Sequence, residues 1–128
     1  MKYYIEKTLN TDFESAAKRA TEALLNEGFG VLSVINIHEK LKEKLNVDYP
    51  KYRILGACNP PLAYEALKKE NRIGTMLPCN VIVREISENE TEVSAVDPIA
   101  SMQAVQNDEL GNIATEVQNK LKSVIDSL

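Results

Sequence analysis

The sequence predicts an α+β fold: a two-layer sandwich in which a mostly antiparallel sheet carries two long helices on one face. Two observations favour this class. Five short stretches rich in Val, Ile and Tyr outnumber the strands that simple βαβ alternation would give, and two long segments repeat apolar residues at helical spacing. The predicted order is β-α-β-(α)-β-(α)-β-β-α. No linker, repeat or low-complexity stretch interrupts the 128 residues, so residues 1–128 are expected to form a single domain.

The first half of the chain is predicted to run strand, helix, strand, short helix. Residues 2–9 alternate as a strand, and Thr11 with Glu14 forms a capping-box pair that would start the first long helix. Gly28 is a natural stop for that helix, because glycine readily takes the left-handed conformation found after helix ends. Residues 30–37, rich in Val and Ile, then predict a strand that leads into a short helix.

The second half begins with an internal strand over residues 52–57. Asn59 is then a good N-cap and Pro60 a good first residue for a helix reaching Lys69. Residues 79–85 and 91–96 are predicted to form a hairpin, after which Asp97 opens a short helical turn. The last helix, from residue 108 onwards, shows the strongest periodicity in the chain. Its predicted apolar stripe consists of Leu110, Ile113, Ala114, Val117, Leu121, Val124 and Leu128.

The charge balance argues against nucleic acid as a partner. There are 15 Lys and Arg against 19 Asp and Glu, a formal net charge of −4, and a phosphate backbone would on average repel such a surface. No stretch approaches the ~18 apolar residues of a membrane span, and the start lacks the apolar core of a signal peptide. We therefore expect a cytoplasmic protein without a membrane partner, whose two cysteines remain thiols.

Two Cys-Asn pairs form the candidate site. Cys58 and Asn59, followed by Pro60, come directly after a predicted strand, and Cys79 and Asn80 begin another. If these strands are antiparallel neighbours, both thiols lie at the same edge of the sheet. Cys58 also precedes a helix start, where the helix dipole can lower a thiol pKa. Soft metals and redox chemistry both favour paired sulfurs, so Cys58 and Cys79 are the candidate metal ligands.

Each of these residues also has a purely structural explanation. Free cysteine is among the most buried residue types, and Asn and Pro are common at helix starts and turns. Asp97 could bring a carboxylate to the same edge, although capping of the following turn explains it fully. Arg53 and Arg84, on adjacent predicted strands, could face an anionic ligand or simply an acidic neighbour. A single histidine, His38, disfavours Cys-His hydrolases and multi-histidine metal sites.

A family resemblance is carried by four blocks of sequence. They are residues 28–32 (GFGVL), 52–63 (YRILGACNPPLA), 77–84 (LPCNVIVR) and 93–98 (VSAVDP). Together they resemble domain of unknown function family 302 over nearly the whole chain. The resemblance implies a compact α+β domain, similar in topology to the TATA-binding protein and often homodimeric, without implying DNA binding. It implies no activity or cofactor, and it marks as candidate-site residues Cys58, Asn59, Pro60, Pro78, Cys79, Asn80 and Asp97.

Three functions stay open on the sequence alone. The leading hypothesis is a binding module for a small ligand, a soft metal or a thiol-reactive species at the edge lined by the two Cys-Asn pairs. The second is a small enzyme or redox protein that uses Cys58 as nucleophile or redox thiol, assisted by Asp97 or an Asn amide. The third is an assembly domain that forms a homodimer and nothing more. No sequence motif selects a reaction.

Overall fold

The predicted order of elements is confirmed over residues 2–128, the part of the chain that the computed structural model describes. The elements run β1 (Tyr4–Leu9), α1 (Phe13–Asn26), β2 (Gly30–Asn36), α2 (Ile37–Leu45), β3 (Tyr52–Cys58), α3 (Pro60–Lys69), β4 (Cys79–Ser87), β5 (Glu90–Val96), α4 (Pro98–Ser101) and α5 (Gly111–Asp126). Short 3₁₀ turns at Ile73–Met76 and Asp108–Leu110 precede β4 and α5. Among these helices, none has both the length and the apolar character that crossing a membrane requires.

The five strands form one sheet in the order β1-β5-β4-β3-β2, and every neighbouring pair is antiparallel. The α+β class with an antiparallel sheet is therefore confirmed. In the register of this sheet, Arg84 on β4 lies opposite Tyr52 on β3 and opposite Glu92 on β5. Because side chains alternate between the two faces of a strand, these three residues share one face. The edges of the sheet are β1 and β2.

The two long helices, α1 and α5, pack together on one face of the sheet, as predicted. The apolar stripe of α5 is buried there through Ala114, Val117, Leu121 and Val124, joined by Ile125. Full burial of each larger aliphatic side chain stabilises the fold by about 1.5–3 kcal/mol. The largest fully buried members of this core are Leu24, Phe29, Val81, Val83, Val93, Leu121, Val124 and Ile125.

The start of α1 differs from the prediction. The N-cap is Asp12, whose carboxylate accepts hydrogen bonds from the Ser15 backbone N–H at 3.1 Å and from the Ser15 hydroxyl at 2.7 Å. The predicted capping box is wrong because the N-cap lies one residue after Thr11 and the Glu14 carboxylate pairs with Arg53 at 2.7 Å instead. Asp12 thus supplies the local cap, and Glu14 ties the start of α1 to the sheet.

The helix signals at Gly28 and Asn59 are confirmed, and the two residues also touch. Gly28 follows α1 with a φ of +85°, a conformation that favours glycine. Asn59 caps α3, and its side-chain oxygen accepts the Leu62 N–H at 3.4 Å. A Cβ at position 28 would lie 3.1 Å from the Asn59 side-chain nitrogen. The end of α1 and the start of α3 therefore fit against each other at this point.

Candidate functional site

The face of the sheet that points away from α1 and α5 is uncovered at its centre; we call it the open face. Strand alternation places every second residue of each strand on it. The register aligns these residues into three rows across the sheet. The rows are Thr8-Glu92-Arg84-Tyr52, then Glu6-Ser94-Ile82-Ile54-Ile35, then Tyr4-Val96-Asn80-Gly56-Ser33.

A hollow of about 440 Å³ lies on the open face, centred on β4 and β5. Its volume is within the range of ~300–1,000 Å³ that is usual for small-molecule sites. Its floor is largely apolar and its rim is aromatic and polar. The lining residues are Tyr3, Tyr4, Glu6, Tyr52, Asn80, Ile82, Arg84, Glu92, Ser94, Ala95 and Val96.

One end of the hollow is closed by an ion pair. The Arg84 guanidinium donates from Nε to Glu92 Oε1 at 2.8 Å and from Nη2 to Oε2 at 3.2 Å. The Ser94 hydroxyl, on a residue only 6% exposed, donates to the same Oε1 at 3.1 Å. The hydrogen bond from Arg84 holds the pKa of Glu92 below its ordinary value, and the same bond raises the pKa of Arg84. Both groups are therefore charged at neutral pH, and their charges cancel.

Tyrosines border the hollow on two sides. Tyr4 lies on β1 and packs edge to face against Tyr3, with ring centroids 5.0 Å apart. Tyr52 lies on β3 beside Tyr49, with centroids 6.4 Å apart. Burial, as the largest cause, raises the pKa of Tyr52, so its phenol stays neutral and able to donate a hydrogen bond. The rim thus offers aromatic faces and neutral polar groups.

Asn80 is the one residue of the predicted site that lies on the open face. It is exposed, lines the hollow and lies opposite Gly56 in the β3–β4 ladder. Its side-chain amide is exposed to solvent at the hollow. Both its donor and its acceptor are thus free to meet a ligand.

The two cysteines lie at a different place, beside the core. Cys79 lies opposite Ala57, the residue before Cys58, and both cysteines line a narrow apolar hollow of only about 30 Å³. Both are free thiols. Burial, followed by the nearby Cys58, raises the pKa of Cys79 to about 11. A thiol with this pKa is protonated at neutral pH, which weakens it as a nucleophile and as a metal ligand.

The other predicted site residues have structural partners. The Asn59 amide donates to the Glu27 carbonyl at 3.4 Å in addition to capping α3. The Asp97 carboxylate accepts the Ile99 N–H at 3.0 Å and the Gln118 amide at 3.1 Å, which ties α4 to α5. Pro60 is exposed at the start of α3. Over residues 2–128, no three His, Cys, Asp or Glu residues converge in a way that could hold a metal ion.

The two arginines singled out from the sequence lie on opposite faces. Arg84 is on the open face with Glu92, whereas Arg53 lies opposite Val83 on the helix side and pairs with Glu14. Each guanidinium therefore has an acidic neighbour, and the two do not face a common ligand. His38 accepts the Tyr52 backbone N–H on its Nδ1 at 2.9 Å, which fixes α2 to β3.

Comparison with known proteins agrees with this fold. The family model described as "Domain of unknown function DUF302" matches residues 5–128. The chain belongs to the DUF302 family. A crystal structure of an uncharacterised conserved DUF302 protein from Bacillus stearothermophilus is similar, with a TM-score of 0.90, 28% sequence identity and coverage of 98% of each chain. No curated protein matches the sequence.

Sequence reasoning missed most of the open face of this DUF302 chain. Tyr4, Tyr52, Glu92 and Ser94 come together only because β5 lies between β1 and β4. Two signals were present in the sequence. Residues 80, 82 and 84 alternate onto one face of β4, and Ser94 interrupts an otherwise apolar run in β5. Neither signal indicates which strands are neighbours, so neither could have assembled the hollow.

Proposed function

We propose that this DUF302 protein is a binding module for a small, partly apolar molecule, which it holds in the hollow of the open face. The observation that carries this proposal is a shielded carboxylate, held in an ion pair with Arg84 at one end of the hollow, where no helix covers the sheet. The Glu92 side chain is only 14% exposed, although it forms no part of the core beneath α1 and α5. Shielding a carboxylate is costly, and such groups concentrate at functional sites.

The hollow at the cysteines gives less support to a binding or catalytic role. Its volume of about 30 Å³ has room for little more than water. The raised pKa of Cys79 opposes thiolate chemistry there. Two other predicted site residues do not line this hollow: Asn80 lies on the open face, and the Asp97 carboxylate is hydrogen-bonded to α4 and α5. Thiol catalysis or soft-metal binding at Cys58 and Cys79 is therefore a lesser proposal.

We also propose that the protein is cytoplasmic, since two free thiols suit a reducing compartment.

A ¹H–¹⁵N NMR titration with indole as an apolar aromatic probe tests this proposal. We expect the shifts to concentrate on β4 and β5 at Asn80, Ile82 and Ser94. Ser94→Leu, which fills the floor of the hollow, should weaken binding at least ~10-fold, because it removes the space for the probe. Ser123→Leu, the same substitution on the exposed side of α5, should leave binding unchanged.

Shifts confined to residues around Cys58 and Cys79, or the absence of any saturable shift, would reject the open-face site. The map in the unmodified protein locates the probe even if Ser94→Leu fails to fold.

A second candidate function is assembly of two copies through the edge strand β2, and one observation favours it. The sequence of β2, GVLSVIN, contains no charged residue, and Leu32 and Val34 are 70% and 57% exposed. Edge strands are normally protected by charges, proline or bulges. β1 has Glu6 and Lys7, whereas β2 has neither charge nor proline and only a register shift between Val31 and Ser33. We propose that β2 pairs antiparallel with β2 of a second copy, which would cover this apolar edge.

Sedimentation velocity over a range of concentrations tests the dimer. The unmodified protein should sediment as a dimer. Val34→Lys should give a monomer, because a charge at this edge opposes strand pairing. Leu25→Lys, at an apolar position on α1 that is 69% exposed, should leave the dimer intact. A monomeric unmodified protein, or a dimer unaffected by Val34→Lys, would exclude the edge-paired form.

A further inference from the structure

We infer that the ligand of the open face is an uncharged, planar heteroaromatic ring that carries a carboxamide or lactam edge. This inference rests on the binding site proposed above and specifies its ligand class. It follows from three features of the hollow: its charge balance, the exposed amide of Asn80, and the distance between that amide and the ring of Tyr4.

The charge balance selects against ionic ligands. Two of the Arg84 nitrogens, Nε and Nη2, are bound to Glu92. The other carboxylate on the rim, Glu6, has Lys2 at 3.8 Å. Both pairs are at least partly exposed, but each charge on the rim already has a partner, so an ionic ligand would compete with an existing ion pair. A neutral ligand avoids this competition.

Asn80 supplies the polar recognition. Its exposed amide presents a donor and an acceptor side by side to the solvent in the hollow. An asparagine amide forms two parallel hydrogen bonds with a partner that has the reverse arrangement, such as the edge of a nucleobase or a carboxamide. An apolar ring would leave both groups of the amide unpaired where it covered them.

The register sets the size of the ligand. Tyr4 on β1 lies opposite Val96 on β5. Val81 lies opposite Ala95, so Asn80 and Val96 follow next on their two strands. Tyr4 and Asn80 are therefore two strands apart, about 10 Å, with Val96 between them. The Lys2 ammonium lies over one face of the Tyr4 ring, 4.9 Å from its centroid. A single heteroaromatic ring lying over Val96 can contact the remaining surface of the Tyr4 ring on one side and bring its amide edge to Asn80 on the other.

Three matched probes test the ligand class: nicotinamide, which is neutral and has a carboxamide; nicotinate, its anionic counterpart; and 1-methylnicotinamide, its cationic counterpart. In ¹H–¹⁵N NMR titrations of the full chain, nicotinamide should bind at least ~10-fold more tightly than either charged probe. Asn80→Leu should weaken nicotinamide binding about 10-fold, because it removes the paired hydrogen bonds. Asn112→Leu, an exposed position on α5, should change nothing.

The outcomes separate the ligand class from the site. If nicotinate or 1-methylnicotinamide binds more tightly than nicotinamide and shifts the same open-face residues, the site stands and the neutral-ring inference is wrong. The same conclusion follows if Asn80→Leu has no effect on nicotinamide binding. If neither indole nor any of the three probes shifts the open face, the binding site itself is rejected along with its ligand class.

Discussion

Gly56 on β3 and Ser33 on β2 lie opposite each other at the end of the open face, and the Ser33 side chain occupies the space that a Cβ on Gly56 would need. A Cβ there would meet the Ser33 hydroxyl oxygen and would also lie 2.9 Å from Cγ of Pro78. The serine can rotate away, but the proline ring is held by the chain on both sides. The absence of a side chain at position 56 therefore lets the segment before β4 close against β3.

Gly56→Ala is expected to destabilise the fold by about 1–3 kcal/mol, the usual cost of forcing an extra carbon into a packed site. Urea denaturation followed by circular dichroism measures the loss. Gly111→Ala is the control, because a Cβ at that helical position meets nothing within 4 Å and alanine favours a helix. Equal stability of Gly56→Ala and the unmodified protein would show that the packing at Pro78 is looser than described.

The Arg84–Glu92 pair should make stability depend on pH in the acid range. Hydrogen bonding from Arg84 holds the pKa of Glu92 below its ordinary value of 4.5 in the folded protein. A carboxyl group with a lowered folded pKa stabilises the fold above its unfolded pKa, and this contribution is lost as the pH falls through the folded pKa. Because Arg84 is 44% exposed, we expect a contribution of only about 1 kcal/mol.

Comparison of Glu92→Gln with the unmodified protein measures this contribution. The difference in the free energy of unfolding should be largest near pH 7 and should shrink as the pH falls below about 4.5. Glu116→Gln removes an exposed carboxylate on α5 that forms no ion pair within residues 2–128, so it should show no such dependence. A difference that is constant from pH 7 to pH 3 would mean that the charge of Glu92 does not stabilise the fold.

The buried thiol of Cys79 should react slowly. With a pKa raised to about 11 by burial, its thiolate fraction at pH 8 is far below that of an ordinary thiol with a pKa of ~8.5. We therefore expect iodoacetamide to modify Cys79 in the unmodified protein at least ~100-fold more slowly than it modifies glutathione, with peptide mapping to distinguish Cys79 from Cys58. Mass spectrometry follows the reaction, and unfolding in urea should restore an ordinary rate. If Cys79 of the folded protein is alkylated at a rate close to that of glutathione, the expectation of an unreactive thiol is wrong and an activated cysteine is supported.

Asp97 should act on stability and not on ligand binding. Its carboxylate caps α4 and accepts the Gln118 amide from α5, so Asp97→Ala should lower the free energy of unfolding by about 1–2 kcal/mol. Asp97→Asn should retain most of the stability, because asparagine is also a good N-cap. Both variants should bind indole and nicotinamide as the unmodified protein does. If a folded Asp97→Asn protein binds the probes more weakly, Asp97 contributes to ligand binding.

Local sequence signals were sufficient for most of the secondary structure. The apolar stripe of α5, the cap at Asn59 and the left-handed Gly28 follow from interactions within a few residues, and each was predictable from its neighbours in the chain. The capping box failed for the opposite reason. Glu14 is held by Arg53, which lies far along the chain, and a distant ion pair leaves no trace in a local pattern.

The sequence by itself determined an α+β fold and the order of its elements, because these depend on periodicity and on signals within a few residues of each element. Only the tertiary structure decided that Asn80 and Cys79 line different hollows, and that Tyr4, Glu92 and Arg84 line the same hollow on the open face. That result depends on β5 inserting between β1 and β4. Strand order arises from the competition of all possible pairings for one buried face, and no single stretch of sequence encodes it.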